Sequence, residues 1–131
     1  MKGIYILLIS IKNDTEIRIG ALGNIRFKEG TYAYTGSAQN SLENRVGRHL
    51  SKNKKKFWHI DYLLGSDDSK IIRIYYKNAK KTEECETAKI LEMTETPVKN
   101  FGCSDCRCGS HLFRIKNIES IKKLKMKELQ Q

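Results

Sequence analysis

No apolar run in this 131-residue chain approaches the ~20 residues that a bilayer-spanning helix needs. A transmembrane helix is therefore not expected. Lys2 precedes an apolar stretch, but no small-residue cleavage site follows, so the N-terminus does not read as a signal peptide. A cytoplasmic location is the expectation. Acidic residues are scarce beside basic ones: 15 Asp and Glu against 25 Lys and Arg give a formal net charge of +10. An excess of that size points to a polyanionic partner, with a Lys-rich solubility surface as the bland alternative. The single proline, Pro97, falls where it would stop a helix. Internal repeats, low-complexity linkers and a composition break that would mark a second domain are all missing. One domain over residues 1–131 is the expectation, long enough to bury a core without staples.

What is present begins with Gly3-Ile4-Tyr5, at the head of an apolar, β-branched run to Ile11 that reads as a buried strand. Residues 14–28 read as a hairpin: Thr15 to Ile19 alternates apolar and polar, Gly20 and Gly23 mark breaks, and Ile25 to Phe27 is short and apolar. Thr31 to Thr35 returns as a strand closed by Gly36. Asn40 or Ser41 can cap a helix running to about Ser51, with Arg45, Arg48 and His49 on its first turns. Lys70 to Lys77 has strong β character. A second helix spans Glu83 to about Thr94, capped by Thr82 and ended before Pro97. Leu112 to Ile115 is a last short strand, and Ile118 to Leu129 reads as a basic amphipathic helix. The fold class is α/β (α+β): a small mixed or antiparallel sheet flanked by helices, with an inserted N-terminal hairpin and a C-terminal helix.

Gly3-Ile4-Tyr5 and Tyr34-Thr35-Gly36, followed by Arg45 and His49 on a helix, resemble the signatures of the GIY-YIG nuclease family of homing endonucleases and excision-repair nucleases. Thr35 replaces the family's middle Ile. The two signatures usually lie about ten residues apart, whereas here the hairpin separates them. A small, mostly archaeal, stand-alone branch has this longer spacing. It also shares the blocks Phe57 to Leu64 and Ser104 to Phe113, so the resemblance covers roughly Lys2 to Ile115.

The resemblance implies a metal-dependent endonuclease acting on DNA rather than RNA, structure-selective or non-specific, and repair-related. Tyr5 would be the general base or would position water, and Tyr34 would orient it. Arg45 would stabilise the transition state, and His49 would assist in proton transfer. A tyrosine can act as a base only if neighbouring cations lower its pKa from about 10. The family's Mg²⁺ or Mn²⁺ carboxylate would come from the helix after the long strand. Glu86 is the expected ligand, because Ile90 and Met93 share its face and would turn it inward; Glu83 and Glu84 read as helix-start residues. The family's Pro-x-x-Asn recurs as Pro97 to Asn100.

Other residues leave readings open. Arg48, Lys54, Lys55 and Lys56 could contact phosphates or form a solvated basic surface. The block Phe57 to Leu64 reads as a short helix or turn. Within it, His59 and Asp61 flank Ile60, which would put them on one face of a strand, and could pair, either tuning a base or making a structural hydrogen bond under Trp58. Cys103, Cys106, Cys108 and His111 have ligand types suited to Zn²⁺, but they are not two well-separated pairs. The same loop could line the active face or hold reduced, buried cysteines. The alternative to a nuclease is a catalytically silent nucleic-acid-binding module, or an adaptor that docks a repair protein through the basic C-terminal helix.

Overall fold

The protein is described by a computed structural model over residues 1–51, 54–103 and 107–130. In chain order its strands and helices are β1 (Gly3–Ile11), β2 (Thr15–Arg18), β3 (Asn24–Phe27), β4 (Gly30–Ala38), α1 (Leu42–Leu50), α2 (His59–Leu64), β5 (Ser69–Lys77), α3 (Thr82–Glu92), β6 (Thr96–Pro97), β7 (Leu112–Ile115), α4 (Glu119–Lys122) and β8 (Lys127–Glu128). A single 3₁₀ turn, Gly20–Leu22, joins β2 to β3.

The apolar N-terminal run makes β1 the central strand. It is buried at every position but Ser10, as a strand covered on both faces must be. It pairs antiparallel with β4 on one side and β5 on the other. The sheet is six-stranded, in the order β6-β7-β4-β1-β5-β8. The expected hairpin is there as a separate two-stranded sheet, β2 with β3. It leaves the main ladder and returns, so β1 and β4 remain hydrogen-bonded neighbours across the insertion.

Alternation along β1 divides the core in two. Tyr5, Leu7, Ile9 and Ile11 share one cluster with Leu42 and Val46 of α1, Ile60 and Leu63 of α2, and Ile19 and Phe27 of the hairpin region. Ile6 and Leu8 belong to the other, with Ala33, Phe113, Ala88 and Leu91 of α3, and Ile121 of α4. Among the described residues no helix is long and apolar enough to cross a membrane.

Three local expectations change. Gly36 does not close its strand: β4 runs through it to Ala38, in full register with Gly3 to Ile11. Thr82 is the first residue of α3 rather than its cap. The C-terminal segment is not one helix. After the short α4, Lys125 takes a left-handed backbone (φ 55°), and β8 joins the edge of β5 opposite Tyr75 and Tyr76. The Leu129 amide donates to the Ile74 carbonyl at 2.8 Å. Ile121 is buried, with Leu124 and Met126 packed against the same cluster. Tertiary packing at an open sheet edge thus overrides the helical period, and Ile121 and Leu124 pack into this chain's own core.

Candidate active site

Cross-strand register sets the first half of the site. Tyr5 lies opposite Gly36, and Leu7 opposite Tyr34. Directly paired residues of an antiparallel ladder point to the same face, so both tyrosines project toward α1. A Cβ at Gly36 would collide with the Tyr5 ring and its hydroxyl. Glycine there is the space in which the phenol lies. Gly3 has a similar reason, since a Cβ would meet the Lys77 carbonyl oxygen across the β1–β5 pair.

Helix α1 supplies the second half. Ser41 caps it by accepting from the Asn44 amide at 3.1 Å. His49, 3% exposed, points back to the sheet, and its Nε2 lies 2.7 Å from the Tyr5 hydroxyl. The Arg45 guanidinium donates to the Ser37 carbonyl at 3.0 Å and lies near enough to the Tyr5 hydroxyl for its charge to favour the ionised phenol. A positive charge beside the Tyr5 oxygen favours turning its proton away, toward His49 Nε2. The His49 proton then sits on Nδ1, which is buried without a partner among the described residues.

Burial pushes Tyr5 well above its usual pKa, with Arg45 pulling back in part. Burial, then the neighbouring Tyr5, raises Tyr34 as well. Burial, with Lys54 next, lowers His49 to about 3, so its imidazole is neutral at ordinary pH. The phenols are therefore not preformed phenolates, contrary to the condition set for a tyrosine base.

Trp58 is the platform under the two arginines. The Arg45 and Arg48 guanidiniums lie 4.4 and 4.3 Å from its ring centre. Arg48 is committed elsewhere: it makes a bidentate pair with buried Asp61 at 2.8 and 2.9 Å. Asp61 also accepts from the Phe57 and Trp58 amides, both at 2.8 Å. Burial pushes its carboxyl upward, but Arg48 and the two amides outweigh that and hold it below the usual range. The expected His59–Asp61 pair is thus absent, because these residues lie on the helical turn α2 and not on one face of a strand. His59 Nδ1 instead accepts from the Gly102 amide at 2.9 Å, so the neutral ring carries its proton on Nε2.

The basic run divides as well. Lys54 donates to the carbonyls of Arg48, His49 and Ser51 at 3.0–3.2 Å, capping the C-terminus of α1. It is a structural cation rather than a phosphate contact. Lys55 and Lys56 are exposed, with Lys56 reaching over the Tyr62 ring.

The carboxylate at the cleft is Glu84. Glu86 is exposed, and so are Ile90 (49%) and Met93 (82%), the residues expected to turn it inward. The buried face of α3 is Thr87, Ala88 and Leu91, and helical spacing puts Glu84 with them. Residue type misled the reading: Ile90 on α3 and Met93 at its C-cap face solvent while a threonine faces the core. Glu84 Oε2 lies 2.8 Å from Nδ1 of buried His111, which also approaches the Thr35 hydroxyl at 3.2 Å.

These groups converge on one cleft of about 600 Å³. Its lining includes Tyr5, Tyr34, Arg45, His59, Glu84 and the rim aromatic Phe57. Tyr5, Tyr34, Arg45 and His59 were expected there, and His49 stands directly behind Tyr5. Trp58 and Lys81 also line the cleft and were not singled out as site residues. Arg-Val-Gly-Arg at positions 45–48 offered one signal for Trp58, since guanidiniums three apart share a helix face that an aromatic can cover.

The cysteines regroup too. Cys85, Cys108 and His111 bring ligand atoms within 4.8 Å of one another and could hold a metal ion. Cys103 is not in this group; its thiol contacts the Phe101 carbonyl. Cys106 lies outside the described residues. Cys85, 26 residues before His111, is the ligand type that tight local spacing hid.

No curated protein and no solved structure matches the chain. The family described as Domain of unknown function DUF123 matches residues 4–131, nearly its whole length, and the protein belongs to that family.

Proposed function

We propose that this protein is a metal-dependent nuclease that hydrolyses phosphodiester bonds in DNA, on a GIY-YIG-like site. The observation that carries the reading is the Tyr5–His49 hydrogen bond at a cleft that Arg45 and Glu84 also line. A structural tyrosine needs one hydrogen-bond partner. This one has a buried imidazole behind it, a cation beside it and a cleft in front.

The chemistry follows from those roles. A water at the cleft gives a proton to the Tyr5 oxygen as the Tyr5 proton passes to neutral His49 Nε2. The phenol need not ionise first, so its raised pKa is compatible with a concerted relay. Hydroxide forms as it attacks phosphorus, and the charge on the phosphoryl oxygens is met by the Arg45 guanidinium and the Nε2–H of His59. Trp58 fixes Arg45 from beneath and Ser37 from the side. Glu84, 17% exposed with one oxygen held by His111, fits a hard divalent ion that takes one carboxylate and several waters. Mg²⁺ or Mn²⁺ bound there supplies positive charge for the leaving 3′ oxygen.

Phe57, 78% exposed at the rim, favours a substrate with unpaired bases, because an exposed ring is a stacking platform. The net charge of +10 favours a nucleic acid generally.

The test is incubation of the purified chain with labelled single-stranded, duplex and branched DNA in Mg²⁺, Mn²⁺ or chelator. Cleavage is expected with metal, strongest on substrates with single-stranded segments. It is lost in Tyr5→Phe, Arg45→Ala and Glu84→Gln, and retained in Glu86→Gln. Salt-sensitive binding without cutting of any substrate replaces the nuclease by a binding module.

A further inference from the structure

We propose that Cys85, Cys108 and His111 bind one zinc ion, and that this ion acts through the His111 ring to fix Glu84 at the cleft. The metal site stands on its own geometry; only its link to catalysis rests on the nuclease reading.

Two parts of the fold, far apart in sequence, supply the donors. Cys85 is on α3, Cys108 is in the loop before β7, and His111 immediately precedes β7. Their ligand atoms lie within 4.8 Å of one another, and Cys85 Sγ is 4.0 Å from His111 Nε2. Zinc holds sulfur at about 2.3 Å and nitrogen at about 2.0 Å, which sets neighbouring tetrahedral donors roughly 3.5–3.8 Å apart. Closing onto an ion therefore takes shifts of about an ångström or less from the positions described. Two thiolates and an imidazole select a thiophilic ion over Mg²⁺ or Mn²⁺. Lys89, Arg107 and Glu92 line the same hollow as Cys108, leaving a net positive charge beside that sulfur.

The orientation of the imidazole is the stronger argument. A glutamate carboxylate only accepts, so its 2.8 Å contact puts a proton on His111 Nδ1. The Nε2 side is turned to Cys85. Metal-bound histidines typically show this arrangement, one nitrogen on the ion and the other donating to a carboxylate. Glu84 and Cys85 are consecutive on α3, so one imidazole bridges them: Glu84 reaches the cleft and Cys85 the ion. Zinc would tie α3 to the loop before β7 and lock the His111 tautomer that holds Glu84. Glu84 is then a positioned ligand for the catalytic cation, and the zinc is structural.

The full chain, stripped with chelator and re-equilibrated with Zn²⁺, is expected to hold one ion per chain by elemental analysis. Co²⁺ in its place should give sulfur-to-cobalt charge-transfer absorption. Both signals should be lost in Cys85→Ser and Cys108→Ser and kept in Cys103→Ser, with circular dichroism reporting the fold. If Cys85→Ser does not fold, Cys108→Ser decides, because it lies in a loop. Absence of stoichiometric binding, or binding that survives Cys108→Ser, overturns the site. Nitrogen-15 spectra of the zinc-loaded protein should show His111 metallated at Nε2 and protonated at Nδ1, with Nδ1 shifted by Glu84→Gln while zinc is retained. Metallation at Nδ1 overturns the link to Glu84. Failure of the nuclease reading looks different: zinc and the His111 signature stay intact and no DNA is cut.

Discussion

Replacing Gly36 with alanine would insert a methyl group where the Tyr5 phenol lies. The added carbon would overlap Cζ and the hydroxyl oxygen of Tyr5 and come within 2.7 Å of Cε2. The cost is steric only, since Gly36 is not among the positive-φ residues. Retreat is blocked. Tyr5 is fully buried, and its hydroxyl is held by His49 at 2.7 Å. Overpacking of this kind costs about 1–3 kcal/mol. Pushing the ring away from His49 leaves a buried acceptor unpaired, at about 1–3 kcal/mol more. The low ends together give about 2 kcal/mol. At roughly 3–5 °C per kcal/mol for a domain of this size, Tm should fall by about 6–10 °C or further. Urea and thermal unfolding of Gly36→Ala, Tyr5→Phe and the double variant form a cycle. The alanine should cost less in the Phe background, where one of its overlapping atoms is gone, with a coupling of about 0.5–3 kcal/mol. On the proposed nuclease reading, DNA cleavage by Gly36→Ala should also be lost, because Tyr5 is displaced while the fold persists. Stability within about 0.5 kcal/mol of the parent, together with parental cleavage, would refute the tight apposition of Tyr5 and Gly36.

Asp61→Asn should cost about 3–5 kcal/mol, because it strips the charge from a buried carboxylate that holds Arg48 and two amides. The folded carboxyl is held low, so its stabilisation is complete above the unfolded value of about 3.9 and lost as pH falls through the folded one; Asp61→Asn should flatten that acid limb of the unfolding curve. His49, lowered to about 3, binds a proton in the unfolded chain before the folded one. Stability should therefore decline between about pH 6.5 and 3, by up to about 1.4 kcal/mol per unit, and His49→Leu should remove that slope in pH-dependent urea titrations. Lys54→Gln should lower stability by about 1 kcal/mol without changing the salt slope of DNA binding, whereas Lys55→Gln or Lys56→Gln should each reduce the slope by up to about one unit. Phe57→Ala should weaken single-stranded DNA by about 1–3 kcal/mol in fluorescence anisotropy and leave duplex affinity nearly unchanged.

Much of this fold could be read from periodicity. β1 announces itself by an unbroken apolar run, β5 by β-branched and aromatic residues, and the hairpin by alternation between glycines. The cap at Ser41 was legible for the same reason: its chemistry is local. Legibility failed where partners are distant. Arg48 and Lys54 look alike as cations on and just after α1, yet an aspartate 13 residues away claims one, while the other reaches three carbonyls that are near in sequence but come within range only where α1 ends. Glu86 lost to Glu84 because amphipathicity on α3 is weak, and only the packed structure tells a solvent-facing isoleucine from a core one. At the C-terminus a convincing helical period gave way to an edge strand, whose hydrogen-bonding partners on β5 lie some 50 residues earlier.

The two ends of the sheet carry a consequence for solubility. Both outermost strands, β6 and β8, are only two residues long. The first contains Pro97, which has no amide proton to offer a further strand; the second is Lys127–Glu128, whose charges resist stacking in a dry interface. Behind β8 runs β5, nine residues rich in isoleucine and tyrosine. Such a segment with its edge uncovered is a template for intermolecular pairing. The last residues of the chain thus act as a guard rail, and a version ending at Leu124 should fold around the same cleft yet precipitate at concentrations the full chain tolerates.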